Sequence, residues 1–188
     1  MSKYLHGLCA SGISGNMMIG ALLNYGVPFD YFKKSLTPLN LSGFSLIHEQ
    51  REKMGVEGTY FDVKLKGKGH GHAHVHTHDG IHFHTHAHGE RRNYPEIKAL
   101  IEAAPLSDWV KEKALTAFLN LGMAEAKVHN TTLDEVHFHE VGAIDCIINI
   151  VGTMICLEYL DVTGIIFSPL HVGQGKVKCE HGLMDIPT

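Results

Sequence analysis

The sequence has little of what marks secreted, membrane-spanning or nucleic-acid-binding proteins. Its 188 residues include only four cysteines, and no two of them form a C-x-x-C pair. The N-terminus carries no signal-peptide pattern, so we expect reduced thiols and a cytoplasmic location. Lys and Arg total 16 against 20 Asp and Glu, a formal net charge of −4. This mild acidity argues against the basic surface that nucleic-acid binding requires.

Long apolar runs are missing too. The longest, residues 141–160, is interrupted by Asp145, Asn149 and Glu158, each of which is costly in hydrocarbon. We therefore expect no membrane-spanning helix. Hydrophobic residues make up 44% of the chain and charged residues 19%, which is the composition of a globular protein that can bury a core.

Apolar spacing and turn residues predict an α/β domain, with a mixed α+β arrangement as the alternative. We expect helices at residues 16–25, 29–36, 94–104, 107–129 and 143–160, strands at 3–8, 44–52, 59–66 and 165–168, and a loop-rich tail. The single domain would consist of a strand–helix–hairpin part (1–66), a disordered histidine-rich loop (67–92) and a helical and α/β remainder that looks truncated (93–188).

Histidine is the residue in excess, with 16 copies. Nine of them alternate with other residues, which in an extended chain would place them on one side. Clustered neutral imidazoles suit Ni, Zn, Cu or Co, so we predict a metal-binding tract. A polar linker, a purification tag and a pH sensor are the other interpretations. The nine are His70, His72, His74, His76, His78, His82, His84, His86 and His88.

A second candidate metal region is the segment HFHEVGAID. In an extended segment His137 and His139 face the same way, and Glu140 and Asp145 add carboxylates, a donor set that suits a borderline metal. The alternative is that Asp145 only compensates the dipole of a helix N-terminus while the two histidines are solvated. The two interpretations have equal support from the residues alone.

Two further segments are candidates for phosphate. Residues 11–15 read SGISG between a strand and a helix, where small residues let backbone N–H groups approach an anion. A tight turn without a ligand explains them equally well. The segment SPLHVGQGKVKCEHG, which includes Lys176, could hold phosphate or metal, or form a hairpin with a solvated basic edge.

In combination, SGISGNM, the histidine tract, EVHFHEVGAIDCIINIVG and SPLHVGQGKVKCEHG resemble the nickel-insertion proteins of nickel-pincer cofactor biosynthesis (LarC). The resemblance covers the whole chain and corresponds to the N-terminal portion of that family. It implies a nickel chelatase of the lyase class that acts on pyridinium-3,5-bisthiocarboxylic acid mononucleotide, with CTP and Mn(II) or Mg(II), to make the cofactor of lactate racemase.

The resemblance also implies site roles. Asp145 and Glu140 would be catalytic, and His137, His139 and the histidine tract would bind Ni(II). Phosphate would lie near Ser11, Gly12, Ser14, Gly15 and Lys176. The non-catalytic alternative is a nickel or zinc store or metallochaperone.

The chain departs from the family pattern at several points. Asn16, Cys146 and Asn149 stand where the family usually has Asp, Ser and Asp, and an aspartate expected before the first loop is missing. Because an amide supplies no charge, the resemblance implies weakened metal–nucleotide binding. The family also continues beyond Thr188, so we expect a separate C-terminal polypeptide as a partner, and a homo-oligomer. A frameshifted product, a fragment and a decaying copy all fit.

Overall fold

The computed structural model describes residues 2–66, 81–83, 92–136, 138, 143–179 and 182–186. The elements in these ranges, in chain order, are β1 (Tyr4–Gly7), α1 (Gly15–Tyr25), α2 (Phe29–Leu36), β2 (Phe44–Lys53), β3 (Val56–Leu65), β4 (Ile81–Phe83), α3 (Tyr94–Ala103), α4 (Asp108–His129), α5 (Ile144–Tyr159), β5 (Gly164–Phe167), β6 (Gly175–Cys179) and β7 (Gly182–Ile186). The mixed α/β fold class predicted from the sequence is confirmed. None of the helices in these ranges is long and apolar enough to cross a membrane.

Local signals in the sequence explain where the first helices begin and end. The Ser14 hydroxyl accepts a hydrogen bond from the backbone N–H of Met17 and caps α1, which satisfies one of the unpaired amides of a helix N-terminus. Gly26, with φ of 138°, ends that helix, and Pro28 immediately precedes α2. These boundaries agree with the predicted ones because capping is decided by neighbouring residues.

The described residues form three small sheets. β1 pairs in parallel with β5, from Tyr4 opposite Gly164 to Gly7 opposite Phe167. β2 and β3 form an antiparallel hairpin, as the alternating pattern predicts. The third sheet has the order β4-β6-β7.

The third sheet departs from two expectations. β4 lies inside the segment predicted to be a loop and pairs in parallel with β6. β6 and β7 form a hairpin where a loop-rich tail was expected, which is the alternative that the sequence had left open. β6 alternates Val177 and Cys179 with two lysines but is only five residues long, and β7 has no such alternation, so the periodicity gave a weak signal for this hairpin.

The core lies between α5 and the elements packed on it. Phe32 of α2, Phe61 of β3 and Phe118 of α4 are fully buried, as are Ile147 and Val151 of α5. Burying side chains of this size is the main source of stability. The predicted burial of the apolar helix at residues 143–160 is confirmed.

Helices α1 and α5 run side by side in the same direction. An ideal Cβ placed on Gly15 lies 2.6 Å from Asn149 Cβ, and one on Gly152 lies 3.3 Å from Ile19 Cδ1. The absence of a side chain at Gly15 and at Gly152 therefore permits α1 and α5 to approach closely at both positions. Since β1 leads into α1 and α5 leads into β5, both helix N-termini lie at the end of the fold where β1 and β5 have their carboxyl ends.

Candidate functional site

The glycine-rich turn follows the carboxyl end of β1. Gly12 has φ of +82° and its N–H donates to the carbonyl oxygen of Cys9 at 3.0 Å. A positive φ of this size strains other residues, so glycine is required here. The turn directs the chain into α1, whose first amide groups face the same end of the molecule.

The segment after β5 packs against this turn. The N–H of Cys9 donates to the Ser168 hydroxyl at 2.8 Å, and an ideal Cβ on Gly12 would lie 3.2 Å from the carbonyl oxygen of His171. The glycine-rich turn and the segment that begins at Ser168, which are separate candidate sites in the sequence, are thus neighbours in the fold. They meet at the carboxyl ends of two parallel strands, where α/β proteins usually bind their ligands.

The start of α5 adds buried oxygens to this end. Asp145 and Asn149 are one turn apart on the same helix face, and the Oδ1 atom of each is buried without a hydrogen-bond partner. Asn16 Oδ1 is in the same condition, and Asn16 follows Gly15, which contacts Asn149. Buried polar atoms are nearly always paired in folded proteins, so the unpaired oxygens on α1 and α5 make this end of the fold a candidate for binding a cation or a hydrogen-bond donor.

Asp62 of β3 is the residue that sequence analysis missed. Its Oδ1 atom accepts from Asn16 Nδ2 at 2.8 Å and from the Val63 N–H at 2.9 Å. Its Oδ2 atom accepts from the Tyr60 hydroxyl at 3.1 Å. Burial and the neighbouring Asp62 carboxylate raise the pKa of Tyr60, so this hydroxyl keeps its proton and remains a donor.

The predicted phosphate residues have different surroundings. Ser11 is exposed, and the Ser14 hydroxyl is engaged in capping α1. Gly12 lies close to the backbone of His171, and Gly15 lies close to the side chain of Asn149. Lys176 is exposed on β6 and forms an ion pair with Asp185, with Nζ and Oδ1 2.6 Å apart. The roles of these residues in binding stay predictions.

Most of the predicted metal ligands lie outside the described residues. This applies to His137, His139 and Glu140, and to the tract histidines apart from His82, which lies in β4. Within the described ranges, no three His, Cys, Asp or Glu side chains are grouped closely enough to hold a metal ion. The predicted nickel ligands are therefore not tested by this arrangement.

Known proteins resemble this chain along its whole length. The family model described as nickel insertion protein matches residues 5–188. The chain belongs to the nickel insertion protein family. The resemblance inferred from the sequence motifs is thereby confirmed. No solved structure matches the chain.

Several curated family members share about the same degree of similarity. A pyridinium-3,5-bisthiocarboxylic acid mononucleotide nickel insertion protein of Alkaliphilus metalliredigens is 42% identical over 187 residues, covering 100% of this chain and 44% of that protein. Proteins of the same name from Clostridium kluyveri and Lactiplantibacillus plantarum are 44% and 43% identical, covering 98% and 94% of this chain. The matched regions make up 45% of the Clostridium kluyveri protein and 42% of the Lactiplantibacillus plantarum protein. The chain therefore spans less than half the length of these family members.

Proposed function

We propose that this chain takes part in nickel insertion into pyridinium-3,5-bisthiocarboxylic acid mononucleotide, the activity that names its relatives. The family match over residues 5–188 carries the proposal. It is supported by the grouping of the glycine turn, the segment after β5 and the start of α5 at one end of the fold. The product would be the nickel-pincer cofactor of lactate racemase.

The glycine turn and the start of α1 suit the phosphate of such a mononucleotide. Gly12 and Gly15 let the turn pack closely against His171 and Asn149, and the α1 N-terminus favours an anion. Ser11 and Ser14 would add hydroxyl groups. To bind the phosphate, Lys176 would have to leave its ion pair with Asp185. Breaking this pair would cost little free energy, because both side chains are exposed to solvent.

Nickel is the substrate of this reaction, and imidazoles are the ligands on this chain that suit it. His137 and His139 would present Ni(II) to the sulfur atoms of the organic substrate, with the histidine tract as a local supply. The protein's contribution would be delivery and orientation of the reacting partners. Glu140 and Asp145 are the carboxylates that we propose as catalytic residues in this region.

The three unpaired oxygens fit Mn(II) or Mg(II) rather than nickel. Asp145 supplies a carboxylate, and Asn16 and Asn149 supply neutral amide oxygens, which together form a set preferred by hard cations. We propose that these residues hold the divalent ion that accompanies CTP. When bound, such an ion would offset the negative charge of the nucleotide phosphates.

The proposed reaction also has implied partners. Since the relatives are more than twice as long as this chain, we propose that the enzyme also needs sequence corresponding to the remainder of those relatives, and that the assembly is a homo-oligomer. Cys9 and Cys156 are buried cysteines outside disulfides, which supports a reducing compartment such as the cytoplasm.

The activity can be tested directly by incubating the chain with Ni(II), CTP, Mn(II) and the bisthiocarboxylated mononucleotide. We expect a nickel-containing product by mass spectrometry, and its loss in Asp145→Asn. Asp134→Asn removes the same charge from an exposed loop and should retain the product. The Lactiplantibacillus plantarum relative serves as the positive control. If that relative is active and this chain is not, nickel insertion by this chain alone is rejected.

One observation favours a second function, a nickel or zinc store. Asn16 and Asn149 replace charged groups of the family pattern with neutral amides, while the nine tract histidines need no folded site to bind metal. A Ni(II) titration of the chain and of a variant lacking residues 69–89 separates the two functions. Loss of most bound nickel in the variant, with no turnover in either protein, supports storage.

A further inference from the structure

The two outer edges of the β2–β3 hairpin have different surroundings. Helix α1 covers the β3 edge: an ideal Cβ on Gly20 would lie 2.6 Å from the carbonyl oxygen of Thr59, and the Thr59 hydroxyl donates to Asn24 Oδ1 at 2.8 Å. Among the described residues, β2 is paired with β3 alone, and residues 48–53 are all exposed. The outer half of β2 is therefore an open strand edge, which is a template for pairing with another strand.

The hairpin turn determines which β2 residues face that open edge. Lys53 and Val56 are opposed across a two-residue turn with positive φ at both turn residues, so this pair exchanges both of its backbone hydrogen bonds. Every second residue back along β2 also bonds to β3, and at the far end the Lys66 N–H donates to the Gly43 carbonyl oxygen at 2.6 Å. The residues between them point their N–H and C=O groups to the open edge. In the exposed half these are His48, Gln50 and Glu52.

The exposed half of β2 carries charges of both signs. Glu49 and Arg51 lie on the same face of the strand, and Arg51 Nε donates to Glu49 Oε1 at 2.6 Å. Both side chains are half-exposed. The Arg51 guanidinium lies 3.3 Å from the centroid of the Tyr60 ring, a contact that favours this position of the cation. Proline, which commonly blocks pairing at an edge, is absent from residues 44–53.

The order of these charges selects one register for pairing of β2 with β2 of a second copy. Because outward-facing residues must pair with each other, the two-fold axis of an antiparallel pair passes through a residue of the strand. With the axis at Gln50, Glu49 lies opposite Arg51 of the partner subunit on both sides of the axis, and side chains in such non-hydrogen-bonded pairs approach closely. An axis at Glu49, Arg51 or Glu52 opposes like charges. An axis at His48 leaves Glu49 and Arg51 without an opposite charge across from them.

We propose that β2 is the dimer interface of this chain, and that two copies join their β2–β3 hairpins into one antiparallel four-stranded sheet centred on Gln50. In that sheet Glu49 and Arg51 of the two subunits form a ring of alternating charge, so each carboxylate has two guanidinium neighbours. On the other face, His48 lies opposite Glu52 of the partner subunit, which adds a hydrogen-bonding pair. This inference rests on the homo-oligomer of the proposed function, to which it gives an interface, and not on nickel insertion.

The test is the oligomeric state of the full chain, measured by sedimentation velocity over a concentration series, and we expect a dimer. Arg51→Glu and Glu49→Arg each oppose like charges twice across the axis, so each should raise the dimer dissociation constant about tenfold or more. Lys98→Glu makes the same charge change as Arg51→Glu in an exposed ion pair with Glu102 of α3, and should stay within about twofold.

A mixture of the two β2 variants separates pairing between chains from effects within one chain. In each variant alone, residues 49 and 51 carry like charges both within the chain and across the axis. In an equimolar mixture, the Glu49→Arg chain places two cations opposite the two carboxylates of the Arg51→Glu chain, so a heterodimer should form with about the affinity of the unaltered dimer. Glu49→Arg mixed with Lys98→Glu retains a like-charged pair across the axis and should not regain that affinity.

The proposal is overturned if the unaltered chain is monomeric at every concentration, if the single β2 variants dimerise normally, or if their mixture remains monomeric. A chain that dimerises while both single variants keep its affinity retains the proposed homo-oligomer and rejects this interface. Because these measurements contain no nickel, CTP or mononucleotide, failure of nickel insertion does not change their outcome.

Discussion

The two ends of the α1–α5 contact are built in opposite ways. At the N-terminal end, Gly15 lies against Asn149, and neighbouring side chains leave three buried oxygens unpaired. About one turn further along, Gly152 lies against Ile19 and Phe32, both fully buried. The same helix pair is thus polar and incompletely satisfied at one end and apolar and closely packed at the other.

This difference indicates that the two ends of the α1–α5 interface contribute differently to stability. An unpaired buried polar atom costs on the order of 1–3 kcal/mol, while each well-buried aliphatic or aromatic side chain contributes about 1.5–3 kcal/mol. The apolar end can therefore stabilise a polar end that by itself destabilises the fold. Such a cost is typical of groups arranged for a ligand rather than for stability.

The largest expected effect comes from breaking the apolar end. Phe32 is fully buried and packs edge-to-face on Phe61, with ring centroids 5.4 Å apart. Phe32→Ala should lower the free energy of unfolding by about 3–5 kcal/mol, because it leaves a cavity. Urea titration measures this loss. Tyr25→Ala, at an exposed position of α1, is the control, and a similar loss there would contradict the comparison.

A smaller effect is expected from crowding the polar end. In Gly15→Ala the new Cβ would lie 2.6 Å from Asn149 Cβ, so α1 and α5 must shift apart, at a cost of about 1–3 kcal/mol. Mn(II) binding should weaken as well, because Asn149 moves. Gly58→Ala is the matched control, since a Cβ there meets nothing within 4 Å. Equal Mn(II) binding by Gly15→Ala and the unaltered chain would show that this contact does not position the oxygens.

A third prediction concerns pH at the apolar end. Burial raises the pKa of the Cys156 thiol from 9.0 to about 12. The unfolded chain releases this proton near pH 9 and the folded chain does not, so stability is retained below pH 9 and is lost between pH 9 and 12. We expect a loss of about 1 kcal/mol by pH 10 that is absent in Cys156→Ala. Urea titrations of the unaltered chain and of Cys156→Ala at pH 7, 8.5 and 10 give the free energy of unfolding of each protein as a function of pH. The same pH dependence in both proteins would refute the prediction.

The smallest effect should have the opposite sign. Asn149→Leu replaces an unpaired buried oxygen with an apolar group, so the free energy of unfolding should stay level or rise by up to about 1 kcal/mol. Mn(II) affinity should fall in the same variant. A clear loss of stability would mean that the Asn149 oxygen has a partner in solution, and would remove it from the proposed cation site.

Much of the local structure could be predicted because its causes are local. Ser14, Gly26 and Pro28 fix the ends of α1 and the start of α2, and alternation of Phe61 and Val63 with polar residues identifies β3. The pairing of β1 with β5 had no such signal, since it depends on residues far apart in the chain. The hairpin of β6 and β7 was predicted only as one of several alternatives, because each strand has five residues and begins with glycine; in the folded chain, backbone pairing and an ion pair between Lys176 and Asp185 join the two strands.

The candidate site was predictable in part. The glycine turn and Asp145 were recognised from small residues and from a carboxylate in an apolar helix, and the structure places both at one end of the fold. Asp62 could not be found, because in the sequence it is one more polar residue on the alternating strand β3. Its importance comes from α1 packing on β3, and only the folded chain brings Asn16 to it.

The parallel pairing of β1 with β5 joins residues as far as 160 positions apart, as in the bond between Lys3 and Thr163. During synthesis the first strand therefore emerges long before its partner exists, and the chain must close a loop of nearly its whole length. The contact of Gly15 with Asn149 likewise joins distant parts of the chain. The proposed cation site therefore cannot be complete before α5 has been synthesised.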